Sequence, residues 1–237
     1  MKSIVFVFFT FLFFMTGTNT LHIANFSELN PNDKDKPPEW ENMDFRGLTP
    51  TEYNLVEFDD KSVIKAESEQ SSSGLIHRVK IDLEEYPIME WSWYVENIME
   101  KGDVHTEDGD DYPARIYVMF DYDLYNLSWR DRNMIRALRT FYGEVPSRAI
   151  NYIYGNHAEE GTIVPNPYTD LVKMVVVDTG EDNLGTWRSY RRNIYEDYKE
   201  IFGEEPPPIE GIAIMTDSDD TEEEATAYFG DIKFHSE

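Results

Sequence analysis

Residues 211–234, GIAIMTDSDDTEEEATAYFGDIKF, decide the fold of this chain. Ile212, Ala213, Ile214 and Met215 are apolar without a break, which fits a strand covered on both faces. An acidic run follows: Asp217, Ser218, Asp219 and Asp220, then Glu222, Glu223 and Glu224. From Ala225 the chain turns apolar again. Unbroken alternation would put Tyr228, Ile232 and Phe234 on one side, with Gly230 between them, and Ala227, Phe229 and Asp231 on the other. The stretch therefore reads as two strands joined by an acidic loop, with the second closing the fold.

The same period of two recurs upstream. Leu75 to Leu83 alternates apolar and polar residues. In Pro87 to Val95, Met89, Trp91, Trp93 and Val95 share a face opposite Ile88, Glu90, Ser92 and Tyr94. In Arg115 to Asp121, Ile116, Val118 and Phe120 oppose Arg115, Tyr117, Met119 and Asp121. Trp40–Phe45, Thr51–Phe58, Ser62–Glu67, Asn151–Tyr154 and Leu171–Val177 complete the strands, and Ser71–Gly74 reads as a turn. Two segments have helical spacing instead. One runs from the N-cap Ser128 through Met134, Ile135, Leu138, Phe141 and Tyr142 to a stop at Gly143. The other runs from Thr186 to Phe202, with Trp187, Tyr190, Arg191, Ile194, Tyr198 and Ile201 as its inner stripe; Gly203 and Pro206–Pro208 end it. The expected fold is mainly β: an antiparallel two-sheet sandwich of jelly-roll type with two accessory helices, at about 128–142 and 186–202.

Composition narrows the function. The formal net charge is −26, from 47 acidic and 21 basic residues. Such a surface repels nucleic acid and anionic membranes and favours cations or neutral ligands. Cysteine is absent, so disulfides and thiolate metal sites are excluded. Lys2, the apolar run Ile4–Met15 and the small polar residues Thr16–Thr20 have the order of a secretory signal peptide over 1–20. Residues 21–39 read as a linker and 40–237 as a single domain, with no transmembrane segment once the signal is cleaved. The expected address is the periplasm or the medium.

Several runs resemble a known family: ESEQSSSGL (67–75), MEWSWYV (89–95), DDYPARIYVMFD (110–121), GEVPSRAINYIYGN (143–156), RNIYEDYKEIFGEEPPPIEGIAIMTDSDDT (192–221) and FGDIKF (229–234). In order and spacing, over about residues 40–235, they are similar to the bacterial exported proteins grouped as domain of unknown function family 3047. The resemblance implies an exported jelly-roll-like domain and brings no activity with it. The family's usual Asp-Thr-Asp-Asn-Thr appears here as Asp217-Ser218-Asp219-Asp220-Thr221, which adds a charge at Asp220. The closing strand Tyr228–Phe234 also resembles the last strand of carbohydrate-binding jelly rolls.

The candidate site residues follow from their chemistry. Asp217 and Asp219, alternate acids at a strand end, could hold Ca²⁺ as a structural cation, or merely cap a turn. The loop Asp103–Asp111 is a second acidic cluster without the full EF-hand pattern. Arg115 beside that loop implies either a buried salt bridge to Asp110 or Asp111 or, with Tyr117, Asp121, Asn151 and Trp187, a clamp for a polar ligand. Trp91 and Trp93 are either a sugar platform or core. Glu90 and Asp121 are the carboxyl pair a glycosidase would need. No nucleophile elbow and no zinc spacing among the five histidines is present. Three functions therefore stand open: a non-catalytic β-sandwich binding a glycan or another polar envelope component, a polysaccharide-acting hydrolase or lyase, and a structural or protein-binding module of the envelope.

Overall fold

The computed structural model describes residues 19–33, 36–142 and 146–237. Among these residues thirteen strands form two sheets, and two α-helices accompany them. The first sheet contains β1 (Thr20–Ala24), β3 (Glu52–Phe58), β4 (Lys61–Glu69), β6 (Ile88–Val95), β11 (Trp187–Asn193) and β13 (Glu224–His235). Its order is β11-β6-β13-β4-β3, with β1 also paired to β13. The second sheet runs β2-β5-β12-β7-β8-β10-β9. Its strands are β2 (Trp40–Asp44), β5 (Ser72–Ile81), β7 (Arg115–Phe120), β8 (Ala149–Tyr154), β9 (Ile163–Asn166), β10 (Thr169–Asp178) and β12 (Ile209–Asp217).

The core lies between the sheets, where Met89, Trp91, Trp93 and Val95 of β6 meet Ile116, Val118 and Phe120 of β7 and Ile212 and Ile214 of β12. The two strands of the 211–234 stretch sit in the interior of different sheets. β12 is flanked by β5 and β7, and β13 by β6 and β4. The acidic loop between them therefore crosses from one layer to the other, and the covered position of β12 explains its unbroken apolar run.

The architecture expected from the residues holds: mainly β, two sheets, mostly antiparallel, with two helices. Five details differ. Strands β8 and β10 pair in parallel, because β9 folds back on the far side of β10 and carries the chain around. Ser72–Gly74, read as turn, already belongs to β5.

Alternation in β13 is broken by a bulge. The register shifts between Phe229 and Ile232, so Gly230 and Asp231 together face Ser92. One extra residue reverses every side chain beyond it. Ala227, Phe229, Ile232 and Phe234 consequently all enter the core, and Tyr228 does not share their face.

The second helix is shorter than its spacing predicts. Residues 187–193 are the edge strand β11, paired with β6, and α2 spans only Ile194–Phe202. Asn193 caps it by accepting the Glu196 amide at 3.1 Å, and Gly203, at φ +73°, ends it in the left-handed region. The first helix, α1 (Trp129–Tyr142), starts as expected: Ser128 Oγ accepts the Asp131 amide and donates to the Asp131 carboxylate. Its expected stop, Gly143, lies outside the described residues, as do residues 1–18 of the expected signal peptide. The segment read as linker opens with β1, whose Thr20–Ala24 pairs with the end of β13. No helix among the described residues is long and apolar enough to cross a membrane.

Candidate functional site

The outer face of the first sheet carries a trough whose shape follows from strand register. Because Met89, Trp91, Trp93 and Val95 fill the core, Glu90, Ser92 and Tyr94 of β6 must face outward. On one side β11 sets Arg191, Ser189 and Trp187 against them, in that order. On the other side β13 sets Lys233, the Gly230–Asp231 bulge and Tyr228. Three rows result, each crossing three strands and each about 7 Å from the next. The first is charged (Arg191, Glu90, Lys233), the second small (Ser189, Ser92, Gly230) and the third aromatic (Trp187, Tyr94, Tyr228).

The small row makes the floor of a cavity of about 490 Å³, lined also by Ser27, Lys61, Tyr190 and Asp231. Gly230 fits closely there: a Cβ on it would come within 2.3 Å of Ser92 Oγ, so one of the two groups would have to shift.

The aromatic row is rigidly backed. Phe58, at the end of β3, stacks on Tyr228 with centroids 4.1 Å apart and planes inclined by 14°. It also packs against Tyr94 and Trp187 at 4.9 and 6.2 Å. The half-buried Trp187 donates its indole N–H to Asp59 at 3.1 Å. Asp59 and Asp60 form the tight turn between β3 and β4, both at positive φ.

The charged row is internally compensated. Arg191 pairs with Glu90 at 2.9 Å, and His235 approaches the other Glu90 oxygen at 3.1 Å. Lys233 lies 3.6 Å from Asp231, which accepts the amide and hydroxyl of Ser27 at 3.0 and 2.7 Å. On a chain of net charge −26, this trough carries Lys61, Arg191 and Lys233 against only Glu90 and Asp231. It offers many hydrogen-bonding groups with little net charge.

The outer face of the second sheet is different. Arg115 is buried with Asp217: Nε donates to Oδ1 at 2.8 Å and Nη2 to Oδ2. The same guanidinium donates to the Asp110 carbonyl and to Tyr117 Oη, and lies over the Tyr112 ring at 4.5 Å. Burial pushes the Asp110 carboxyl above its ordinary range, against the pull of Arg115 and of Asn166, which donates to it at 2.8 Å. Next to this cluster lies a cavity of about 300 Å³ with a largely apolar lining, including Met43, Met119 and Val172. Tyr168 at its rim donates to Asp220, whose carboxyl is pushed up to about 6 by burial and by the neighbouring charges of Asp219 and Asp111.

The residues singled out from sequence are thus separated. Arg115 and Tyr117 sit together, with Arg115 consumed by a salt bridge to Asp217; of the partners expected from sequence, Asp110 lies 3.6 Å away and Asp111 bonds Thr221 instead. Asn151, across from Tyr117 on β8, is fully buried, and neither atom of its amide has a partner among the described residues. Trp187 and Glu90 line the trough on the opposite side of the sandwich. Asp121 is exposed just beyond β7 in the second sheet, so Glu90 and Asp121 do not face each other across any cleft. Trp91 and Trp93 are core: Trp91 stacks on Tyr190, Trp93 packs against the same ring at a tilt, and Trp91 also meets Tyr152. Asp217 is spent on Arg115. Asp219 instead approaches Asp111 and Asp220. Sequence reasoning missed Ser92, Ser189, Arg191 and Gly230 as a set. The only signal was that Gly230 interrupts a strand, where a bulge or close approach is common.

A family model described as "Protein of unknown function (DUF3047)" matches residues 38–233. No curated protein matches the chain. Similar solved structures include a xylan-binding module, CBM15, at 8% identity and TM-score 0.36, covering 92% of this chain and 97% of that one. A second is endoglucanase 3 of Trichoderma harzianum, from family GH12, at 8% identity and TM-score 0.40, covering 84% and 98%. A third is the mannan-recognising carbohydrate-binding module TmCBM27, at 10% identity and TM-score 0.32, covering 92% and 98%. Likenesses of this degree say nothing about the trough or its residues.

Proposed function

The chain belongs to the DUF3047 family, whose function is unknown, and from that premise we propose that it is an exported, non-catalytic β-sandwich that binds a neutral or weakly charged glycan of the cell envelope. The reading rests on the three-row trough of the first sheet. A sugar ring has an apolar face of C–H groups and a rim of hydroxyls. The trough pairs the half-exposed ring of Trp187 with a floor of Ser92 and Ser189 and an ion-paired row of Glu90 and Arg191. Aromatic faces suit the first part of such a ligand, and fixed donors and acceptors suit the second. Near-neutrality on an otherwise strongly acidic surface favours a ligand that needs no counter-charge.

A hydrolase acting through Glu90 and Asp121 would need both carboxyls about 5–9 Å apart across one cleft. Their placement, Glu90 in the first sheet and Asp121 beyond the end of β7 in the second, favours the non-catalytic reading. The test is a glycan array probed with the mature chain and with Trp187→Ala. Binding to one glycan class that the variant loses supports the reading. An array silent for both proteins would end it.

A structural or protein-binding role in the envelope is the second reading. It is favoured by the burial of Trp91, Trp93 and Arg115, three groups that could have been ligand contacts. It gains if the array is silent and the chain co-purifies with one envelope protein through the same face.

A further inference from the structure

The loop between β12 and β13 runs beside residues 107–111, and three carboxylates converge there. One oxygen each from Asp111, Asp219 and Asp220 lie within 4.8 Å of one another. In a chain with 47 acidic residues such a gathering decides nothing by itself. The deciding group is Asp111, which is fully buried. Its Oδ2 accepts the Thr221 amide at 2.6 Å, but its Oδ1 has no hydrogen-bond partner among the described residues. Thr221 is buried as well, and its hydroxyl lies within reach of the Asp111 carboxylate without making a well-aligned hydrogen bond to it or to any other described residue. Buried oxygens are rarely left this way in a finished site.

The protein's own cations are committed elsewhere. Arg115 holds Asp217, and Lys101 donates to the Thr221 carbonyl at 2.6 Å. No lysine or arginine nitrogen among the described residues reaches ion-pairing distance of the three carboxylates. Three like charges in partial burial, beside a buried hydroxyl that no well-aligned hydrogen bond uses, are a donor set for a hard cation.

We propose that Asp111, Asp219 and Asp220, with the Thr221 hydroxyl, bind one Ca²⁺ that clips the 107–111 segment to the β12–β13 loop. The donors are all oxygen, which selects a hard cation over zinc or copper. Calcium accepts about six to eight oxygens in irregular geometry, so water completes the shell, whereas magnesium demands a tighter octahedron. The clip joins segments more than a hundred positions apart in the sequence. A chain without cysteine has no disulfide to make such a link. This site is independent of the trough, on the other sheet's side of the sandwich.

The test uses the full mature chain freed of metal, titrated calorimetrically with CaCl₂ and with MgCl₂ and melted in each. One Ca²⁺ per chain should bind, with Mg²⁺ at least about 10-fold weaker, and calcium should raise Tm by several degrees. Asp219→Asn/Asp220→Asn should weaken calcium about 100-fold, given how strongly ligand charge sets affinity. Its metal-free melt should be equal to or above that of the parent, which shows that it folds. Asp103→Asn/Asp108→Asn, in the neighbouring acidic loop, should bind calcium as the parent does. Absence of both heat and Tm shift up to roughly 5 mM CaCl₂ would overturn the proposal, since even weak extracellular sites fill by then. Undiminished binding by the Asp219/Asp220 variant would overturn it too.

Discussion

Arg115 and Asp217 meet as a two-pronged ion pair with almost no access to water, joining the first residue of β7 to the last of β12. Asp217 Oδ1 also accepts the Tyr112 amide at 3.2 Å, and the guanidinium reaches Tyr117 and the Asp110 carbonyl. Removing one partner would leave the other charge buried and uncompensated. Arg115→Met should therefore cost on the order of 3–5 kcal/mol. Arg115→Lys should recover little, because an ammonium cannot reproduce the planar fork. Arg115→Met/Asp217→Leu should be less damaging than either single change. Urea unfolding with an unchanged m-value checks all three. Parent-like stability of Arg115→Met would show the pair to be irrelevant.

Trp187 should separate binding from folding. It lies on an edge strand and is half-buried against Phe58 and Tyr94. Trp187→Ala should cost roughly 1–2 kcal/mol of stability but at least about 2 kcal/mol of glycan affinity, which is roughly 30-fold. Trp187→Phe should keep most of both. Titration of the array-identified glycan, beside a thermal melt, reads the two quantities. Equal affinity for Trp187→Ala and the parent would remove the aromatic row from the site.

Much of the layer structure is legible from single strands. MEWSWYV declares its buried face by alternation alone, and Trp91 and Trp93 duly fill the core. What local pattern does not carry is anything decided across strands. Trp187, Tyr190, Arg191 and Ile194 have helical spacing, yet residues 187–193 form a strand because the edge of β6 offers them a ladder. The trough rows join residues near 90, 190 and 230, and only the registers of β11, β6 and β13 bring them side by side. Asp217 and Asp219 look like paired cation ligands in sequence. The neighbouring strand supplies Arg115, which takes Asp217 away. Asp111 then takes its place, from a loop that the sequence marks only as acidic.

Gly230 and Ser92 make a second testable pair. A Cβ at position 230 would meet Ser92 Oγ at 2.3 Å but Ser92 Cβ at 3.6 Å, an ordinary contact. Gly230→Ala alone should destabilise by about 1–3 kcal/mol through overpacking. Adding Ser92→Ala removes the clashing oxygen and should restore most of that loss. The double variant should nevertheless bind glycan more weakly than the parent, because its floor is shallower and lacks a hydroxyl. A thermodynamic cycle on denaturation midpoints measures the coupling. Additive effects would mean that the bulge simply moves aside.

The last prediction concerns pH in the metal-free protein. Asp220 ionises at about 6 in the fold against 3.8 for the unperturbed group, because burial and the charges of Asp219 and Asp111 oppose ionisation. A carboxyl whose folded pKa is raised binds protons in the native state before the unfolded chain does. Its contribution therefore falls as pH rises from about 4 to 6. Above that window its ionised form is a burden on the fold. Because the side chain is partly exposed, solvent screening limits the effect to on the order of 1 kcal/mol. Between pH 7 and 5 the metal-free parent should gain more stability than Asp220→Asn, which has no proton to take up. With saturating calcium the order should reverse, since protons then compete with the bound cation. Melts of both proteins across that range, with chelator and with CaCl₂, give the four slopes. Parallel curves for parent and variant in chelator would show that Asp220 ionises normally.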